Sequence, residues 1–342
     1  MRMWYITNAS MPSPKAHSLQ IMKSCEAFAN AGVSVTLVLP TKVRVIKDDP
    51  YTYYGIRRNF ALKRVPSLDL IWLLPERLGF YINAVTFCVS AVTYALLFCR
   101  RGVIYSRDYA TLAALCLFGF HPIAEIHDYR SHRPKKLIAF ILKHTRAVIV
   151  NSEGTRSLLT THYPLFKSVL AAPNGVDPDF FDIPETRQQA REKLGLPRDK
   201  IIVGYVGRMH VAGMDKGVTS LREAFQQMRH RQRAELLIVG GPDLSIPYTH
   251  VPLYLRAIDI AVVPFPGAQH AKTTSPIKLF EYMAAGKAIV IADSPDSHEL
   301  AEKLDALVAD PARIASLGVK SREEAKRHTW DQRAKNILDF IV

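Results

Sequence analysis

The chain has 342 residues, 48% of them apolar, which is room for two domains with a core each. Its net charge of +14 is lopsided: residues 1–175 hold 22 Lys and Arg against 9 Asp and Glu, and the remainder is nearly neutral. A basic half attracts phosphorylated substrates, anionic membrane or nucleic acid; without zinc spacing, an aromatic-basic motif or a recognised module, nucleic acid is the weakest of these and is not expected as a partner.

The chain opens on an apolar strand, Met3–Thr7, and no secretory leader is expected. Cys25, Cys88, Cys99 and Cys116 lie in apolar runs without metal spacing, so a reduced, cytoplasmic protein is expected. Ser18–Ala31 has helical spacing, with Ile21, Cys25, Phe28 and Ala29 on one face, and Gly32 ends it. Val33–Leu39 and Phe60–Val65 read as further strands. Leu78 to Cys99 is a run of 22 residues without a formal charge, between Arg77 and Arg100-Arg101. That length can span a bilayer. Asn83, Thr86, Ser90 and Thr93 interrupt it, however, and a strand-like stretch follows directly. A helix buried in the domain or lying on a membrane surface is therefore expected. Val103–Tyr105, Ile123–Ile126 and Ala147–Val150 complete an alternation that predicts an α/β, doubly wound parallel sheet.

Pro173-Asn-Gly-Val-Asp177 is a turn cluster and the expected domain joint. A second series follows: a helix at Ala190–Leu194, a strand at Ile201–Val206, a helix at Thr219–Arg229, then strands at Glu235–Val239 and Ile258–Val263. Only a short polar loop is expected between Gly241 and Ile258. Ala288–Ala292 reads as a strand, a helix begins near Ala301, and Trp330–Val342 is an amphipathic helix. The expected divisions are residues 1–175, 176–328 and a terminal helix at 329–342. No Gly-x-Gly-x-x-Gly follows the first strand, which argues against a nicotinamide enzyme.

The most specific stretch is Thr274-Ser-Pro-Ile-Lys-Leu-Phe-Glu-Tyr-Met-Ala-Ala-Gly-Lys287. The Ser275-Pro276 turn opens an apolar helix whose first-turn amides are unpaired. Lys278 adds a full positive charge there, and Glu281 follows one turn later. A helix N-terminus with a lysine suits a diphosphate, and a carboxylate one turn in suits ribose hydroxyls. Gly204-Tyr-Val-Gly-Arg208 and Asp215-Lys-Gly217 form a second group. There Arg208 can fork two diphosphate oxygens and Lys216 can add a point charge.

Together these segments resemble the donor site of retaining nucleotide-sugar glycosyltransferases with the GT-B fold, the large group called family 4 or group 1. The resemblance implies two Rossmann-like domains facing a cleft, the second apparently trimmed, and a terminal helix crossing back to the first. It implies transfer of a sugar from a nucleoside-diphosphate sugar to an acceptor hydroxyl, with retention and without a metal or other cofactor. Gly207, Ser275, Pro276, Ile277, Lys278 and Glu281 fall at donor-binding positions; Arg208 and Lys216 would steady the leaving diphosphate. His127, at the end of the Ile123–Ile126 strand, matches the histidine that meets the donor sugar. Lys15 and His17 match the loop opposite the donor, and Arg130 lies in a basic cluster with Arg133, Lys135 and Lys136. That cluster suits a sugar or lipid-linked acceptor and an anionic membrane surface, so peripheral association with the cytoplasmic membrane face is expected.

Most members of the group carry Glu-x7-Glu; here Thr273 stands where the first acid would be. Asp177-Pro-Asp179 has the look of a metal motif but sits in the domain joint, and no metal site is expected there. The rival readings are a nucleotide-sugar epimerase or hydrolase of the same fold, and a catalytically degenerate subunit that binds nucleotide or membrane.

Overall fold

The computed structural model describes residues 1–342 except 44–45, 128–133, 165, 167, 212–213, 242–245, 266–267 and 295. The chain forms two units, Met1–Pro173 with Trp330–Val342, and Asn174–Thr329.

In the first unit the strands are β1 (Arg2–Ile6), β2 (Ser34–Pro40), β3 (Ala61–Val65), β4 (Val103–Ser106), β5 (Ile123–Ile126), β6 (Ala147–Val150) and β7 (Val169–Ala171). Among the described residues they make one parallel sheet in the order β3-β2-β1-β4-β5-β6-β7. The helices are α1 (Ala16–Asn30), α2 (Pro50–Tyr54), α3 (Glu76–Phe98), α4 (Tyr109–Leu117), α5 (Lys135–His144) and α6 (Glu153–His162). Both faces of the sheet are covered, so its central strands read as apolar runs rather than alternating ones. On one face Trp4, Ile6 and Val38 meet Phe87, Ala91 and Ala95 of α3. On the other, the tilted rings of Tyr5 and Tyr105 meet beside Phe28 of α1. The strand order reverses between β1 and β4, and ligands of such sheets bind beyond strand C-termini at that reversal.

The second unit contains α7 (Arg187–Lys193), β8 (Ile201–Val206), the short hairpin strands β9 (His210–Val211) and β10 (Met214–Asp215), α8 (Val218–Gln227) and β11 (Ala234–Val239). There follow α9 (Val251–Ala257), β12 (Ile260–Pro264), α10 (Ala268–Thr273), α11 (Ile277–Ala284), β13 (Ala288–Ala292), α12 (Ser297–Val308) and α13 (Pro311–Ala325). Its parallel sheet has the order β11-β8-β12-β13, again reversing beside the first strand. Alternate residues of β8 serve opposite cores: Val203 and Tyr205 face α8 and α12, Ile202 and Val206 face α9 and α11. The final helix, α14 (Trp330–Ile341), packs on α1.

Two expectations need correcting. The segment before Ile258 is not only a polar loop, because it contains α9. Pro252 sits in that helix's first turn, where its missing N–H costs nothing, while Val251 and Leu255 are buried. The helix expected near Ala301 begins at Ser297, because the Asp296 carboxylate accepts from the His298 and Glu299 amides and starts it earlier.

Candidate functional site

In the second unit, β8 ends at Gly207, whose φ of 140° is one that glycine tolerates. A Cβ there would stand 3.0 Å from the Lys278 Nζ, so the glycine lets this lysine close over the strand end. The Tyr205 hydroxyl donates to the Arg208 carbonyl at 2.7 Å and fixes the turn. The β9–β10 hairpin then returns the chain, with the Lys216 amide donating to the Met209 carbonyl at 2.9 Å. Asp215 caps α8 by accepting from the Val218 and Thr219 amides.

Lys278 differs from its expected role as a fully charged group. Its ammonium lies 3.7 Å from the centre of the Tyr205 ring. Burial, and then Lys216, push its pKa down to about 7, against the pull of Glu281. Lys216 is itself lowered by burial and by Arg208. Lys216 thus links Arg208 on one side to Lys278 on the other, and a bound anion relieves such like charges.

α11 has no side-chain cap, and Pro276 is its N-cap residue. The N–H groups of Ile277 and Lys278 therefore open the helix, while the Ile277 side chain is buried. Ser275 is tied down: its Oγ accepts from the Asn174 amide at 2.9 Å, and its carbonyl accepts from the Asn174 side chain. Glu281 is buried, and burial pushes its pKa up to about 7, opposed by a hydrogen bond from Tyr248 and by Lys278. Tyr248 stacks on Phe180, with centroids 5.1 Å apart and planes 7° apart. Thr273 closes α10.

In the first unit, alternation along β5 turns Glu125 away from the apolar cluster that holds Ala124 and Ile126. Glu125 is fully buried and accepts from Tyr5 (3.0 Å), Gln20 (2.9 Å), His127 (2.6 Å) and Arg333 of α14 (2.5 Å). Burial alone would raise its carboxyl; Arg333, His127 and Arg107 overcome that and hold it well below the usual carboxylate range. His127 goes the other way. Burial, then Arg107, push it down to about 4, against the attraction of Glu125. It is neutral at pH 7, so the nitrogen facing the carboxylate, Nε2, carries the proton and Nδ1 is left as an acceptor. The Asn151 side chain donates to the His127 carbonyl at 3.2 Å.

Lys15 occupies the N-cap position of α1 and is exposed, with His17 in the first turn. Lys42 stands near Lys15; its Nζ donates to the Asn8 carbonyl at 3.0 Å, and burial lowers its pKa. The Asn8 amide donates to Asp108 at 2.5 Å, joining the loops after β1 and β4 at the strand-order reversal. Arg130 and Arg133 lie outside the described residues; Lys135 and Lys136 are exposed in the first turn of α5. Asp179 starts a single 3-10 turn. Among the described residues no group of three or more His, Cys, Asp or Glu side chains gathers as a metal set.

Residues 200–318 match the family model of glycosyl transferases group 1. A curated relative, the D-inositol 3-phosphate glycosyltransferase of Stackebrandtia nassauensis, is 26% identical over 58% of this chain and 54% of its own length. The chain spans about half the length of the curated relatives it matches. Among solved structures, sucrose-phosphate synthase from Thermosynechococcus elongatus superposes with a TM-score of 0.74 at 18% identity, covering 99% of this chain and 97% of that one. Anabaena HepE in complex with UDP-glucose gives 0.71 at 14% identity, covering 99% of each. The fold is GT-B, with parallel sheets of seven and four strands.

The segment that matches the family model contains Gly207, Arg208, Lys216, Ser275, Pro276, Ile277, Lys278 and Glu281. Within it, sequence reasoning missed Tyr205, under the Lys278 ammonium, and Tyr248, bonded to Glu281. Outside it, reasoning missed Arg107, Lys42, Glu125 and Arg333. A charged residue inside the apolar run Ile-Ala-Glu-Ile was the one available signal for Glu125, because a lone buried carboxylate requires a partner.

Proposed function

We propose that the protein is a glycosyltransferase that moves a sugar from a nucleoside-diphosphate sugar to an acceptor hydroxyl, with retention at the anomeric carbon. The observation that carries the reading is the Lys278 ammonium closing over Gly207 at the end of β8, with Lys216 near enough to lower its pKa and α11 lacking a side-chain cap. As the bond from the anomeric carbon to phosphate oxygen breaks, negative charge grows on the departing diphosphate. Fixed cations and amides at that point stabilise the transition state more than the ground state. Glu281, oriented by Tyr248, takes the ribose hydroxyls.

His127 is a poor proton acceptor at a pKa of about 4. Its role is to accept a hydrogen bond from a sugar hydroxyl through Nδ1. The acceptor proton passes instead to an oxygen of the departing phosphate, and the new glycosidic bond forms on the face that the diphosphate leaves. Lys15, His17, Lys42 and Arg130 suit an acceptor that carries phosphate, including a lipid-linked one. The UDP-glucose held by Anabaena HepE supports a nucleotide sugar as donor, and the D-inositol 3-phosphate in the relatives' names supports a phosphorylated acceptor.

The test is a thermal-shift screen of nucleotide sugars, followed by NMR of the product anomer. A ligand at one hundred times its dissociation constant adds about 2.7 kcal/mol of stability. Stabilisation by nucleotide sugars followed by an inverted product would refute retention; no stabilisation by any would refute the donor assignment.

A further inference from the structure

Helix α3 is apolar on the side it buries and apolar on the side it shows. Gly79, Asn83, Phe87, Ala91, Val92 and Ala95 form the buried stripe. On the outer side Val85 is 62% and Val89 63% exposed, with Phe80, Tyr81, Leu97 and Phe98 beside them. Leu117 and Phe118 at the end of α4 extend this surface. A groove of about 420 Å³ between the two helices is lined by Tyr81, Val85, Val89, Leu96 and Phe118. Contiguous exposed apolar surface of this kind marks an interaction site.

We propose that the α3–α4 face seats the protein on an anionic bilayer, with α3 lying in the boundary between headgroups and acyl chains. The charges argue for a membrane. No formal charge interrupts Leu78 to Cys99, while Arg77 stands at one end and Arg100 and Arg101 at the other. The acids nearby are Glu76, in the first turn of α3, Asp69, which accepts from the Val43 amide, and Asp108 at the start of α4, which accepts from the Asn8 amide. The surrounding 175 residues carry 22 basic against 9 acidic side chains, complementary to an anionic surface. Trp72 and Tyr81 supply the amphipathic rings that settle at headgroup level.

The packing argues against spanning. By length and composition α3 could cross a membrane. Phe87, Ala91, Val92 and Ala95, however, are fixed against Trp4, Ile6 and Ile104, and a crossing helix would strip that core bare. Only the outer side is available to lipid, which is the arrangement of a helix that lies on the membrane. This inference is independent of the transferase reading, because binding to lipid is measured without turnover.

The test uses the full chain and vesicles of phosphatidylglycerol with phosphatidylcholine, or phosphatidylcholine alone. Trp4 and Trp330 are buried and Trp72 is 72% exposed, so a change in tryptophan emission reports Trp72. The expected result is co-sedimentation with anionic vesicles, at least tenfold weaker binding to neutral ones, and a blue shift quenched by brominated acyl chains. Val85→Glu with Val89→Glu should remove binding, and Val85→Ser with Val89→Ser should weaken it several-fold. Unchanged circular dichroism in both variants is the control for folding. Arg100→Gln with Arg101→Gln should weaken binding to anionic vesicles and flatten its salt dependence. Absence of binding, or binding untouched by the serine variant, overturns the proposal. So does resistance to alkaline carbonate extraction, which means spanning, or a dimer that the serine variant dissociates without any binding to vesicles.

Discussion

Arg333 and Glu125 stand 208 positions apart in the chain and are joined by a hydrogen bond of 2.5 Å, both almost wholly buried in the first unit. Arg333 also donates to the Ala172 and Pro173 carbonyls and to Ser24, so the last helix is anchored through one guanidinium. Removing one partner of a buried ion pair leaves the other charge uncompensated, at a cost of about 3–5 kcal/mol. Arg333→Met should lose stability of that order in denaturant unfolding, and adding Glu125→Gln should restore much of it. A loss under about 1 kcal/mol in the single variant would mean that Glu125 is satisfied without Arg333.

His127 gives a pH dependence of definite sign. Its unfolded imidazole takes a proton near pH 6.5, while the folded one refuses it until about 4. Its contribution to stability is complete above about pH 6.5 and declines as the pH falls toward 4. The melting temperature of the wild type should therefore drop more between pH 6.5 and 4 than that of His127→Gln. Parallel curves would show that the imidazole titrates normally.

Arg208→Ala and Lys216→Ala should each slow transfer by about a hundredfold or more, the usual effect of losing one stabilising donor at a developing charge. Circular dichroism and the unfolding midpoint should change little. Wild-type turnover in either variant would remove that residue from the donor site.

Glu281→Gln should weaken nucleoside diphosphate binding by roughly 1.5–3 kcal/mol, the range for a hydrogen bond to a charged group. Tyr248→Phe should weaken it less, because it loosens the carboxyl without deleting it. Calorimetry that finds both variants at wild-type affinity would reassign Glu281 to a structural role.

Lys278, with a pKa near 7, should take up a proton when a nucleotide sugar binds at pH 7 to 8, since the diphosphate favours the charged amine. Affinity should decline as the pH rises above 7. Lys216 and Glu281 face the same group, so Lys278→Met is the control in which most of this uptake disappears. Binding enthalpies that do not vary with the buffer's own ionisation enthalpy would rule the uptake out.

Local pattern made much of this fold legible. An apolar run such as Ala147–Val150 does not name its neighbours in the sheet. The alternation of Met3–Thr7, Ser18–Ala31 and Val33–Leu39 is short-range information, and it led to the parallel sheets. The motif at 274–287 disclosed the helix start at Ile277 for the same reason. What stayed hidden depends on long-range contact. Lys278 reads as an ordinary cation until Tyr205 and Gly207 are placed beneath it. The stretch between Gly241 and Ile258 reads as a polar loop until the burial of Val251 and Leu255 shows that it holds a helix opened by Pro252.

The helix that supplies Arg333 belongs to the final 13 residues, yet it completes the unit that begins at Met1. Synthesis delivers the chain at roughly 5–20 residues per second. The 156 residues of the second unit must be made in between, an interval of about 8–30 s at that speed. Throughout it, Glu125 lacks the guanidinium of Arg333. The second unit is continuous, and its two ends are tied by the Val176 amide donating to the His328 carbonyl at 2.9 Å. It can close as soon as its own residues emerge. The half of the protein that is written first is thus the half that finishes last, and a ribosome that stops short of residue 333 releases a first unit whose core carboxylate is missing its strongest partner.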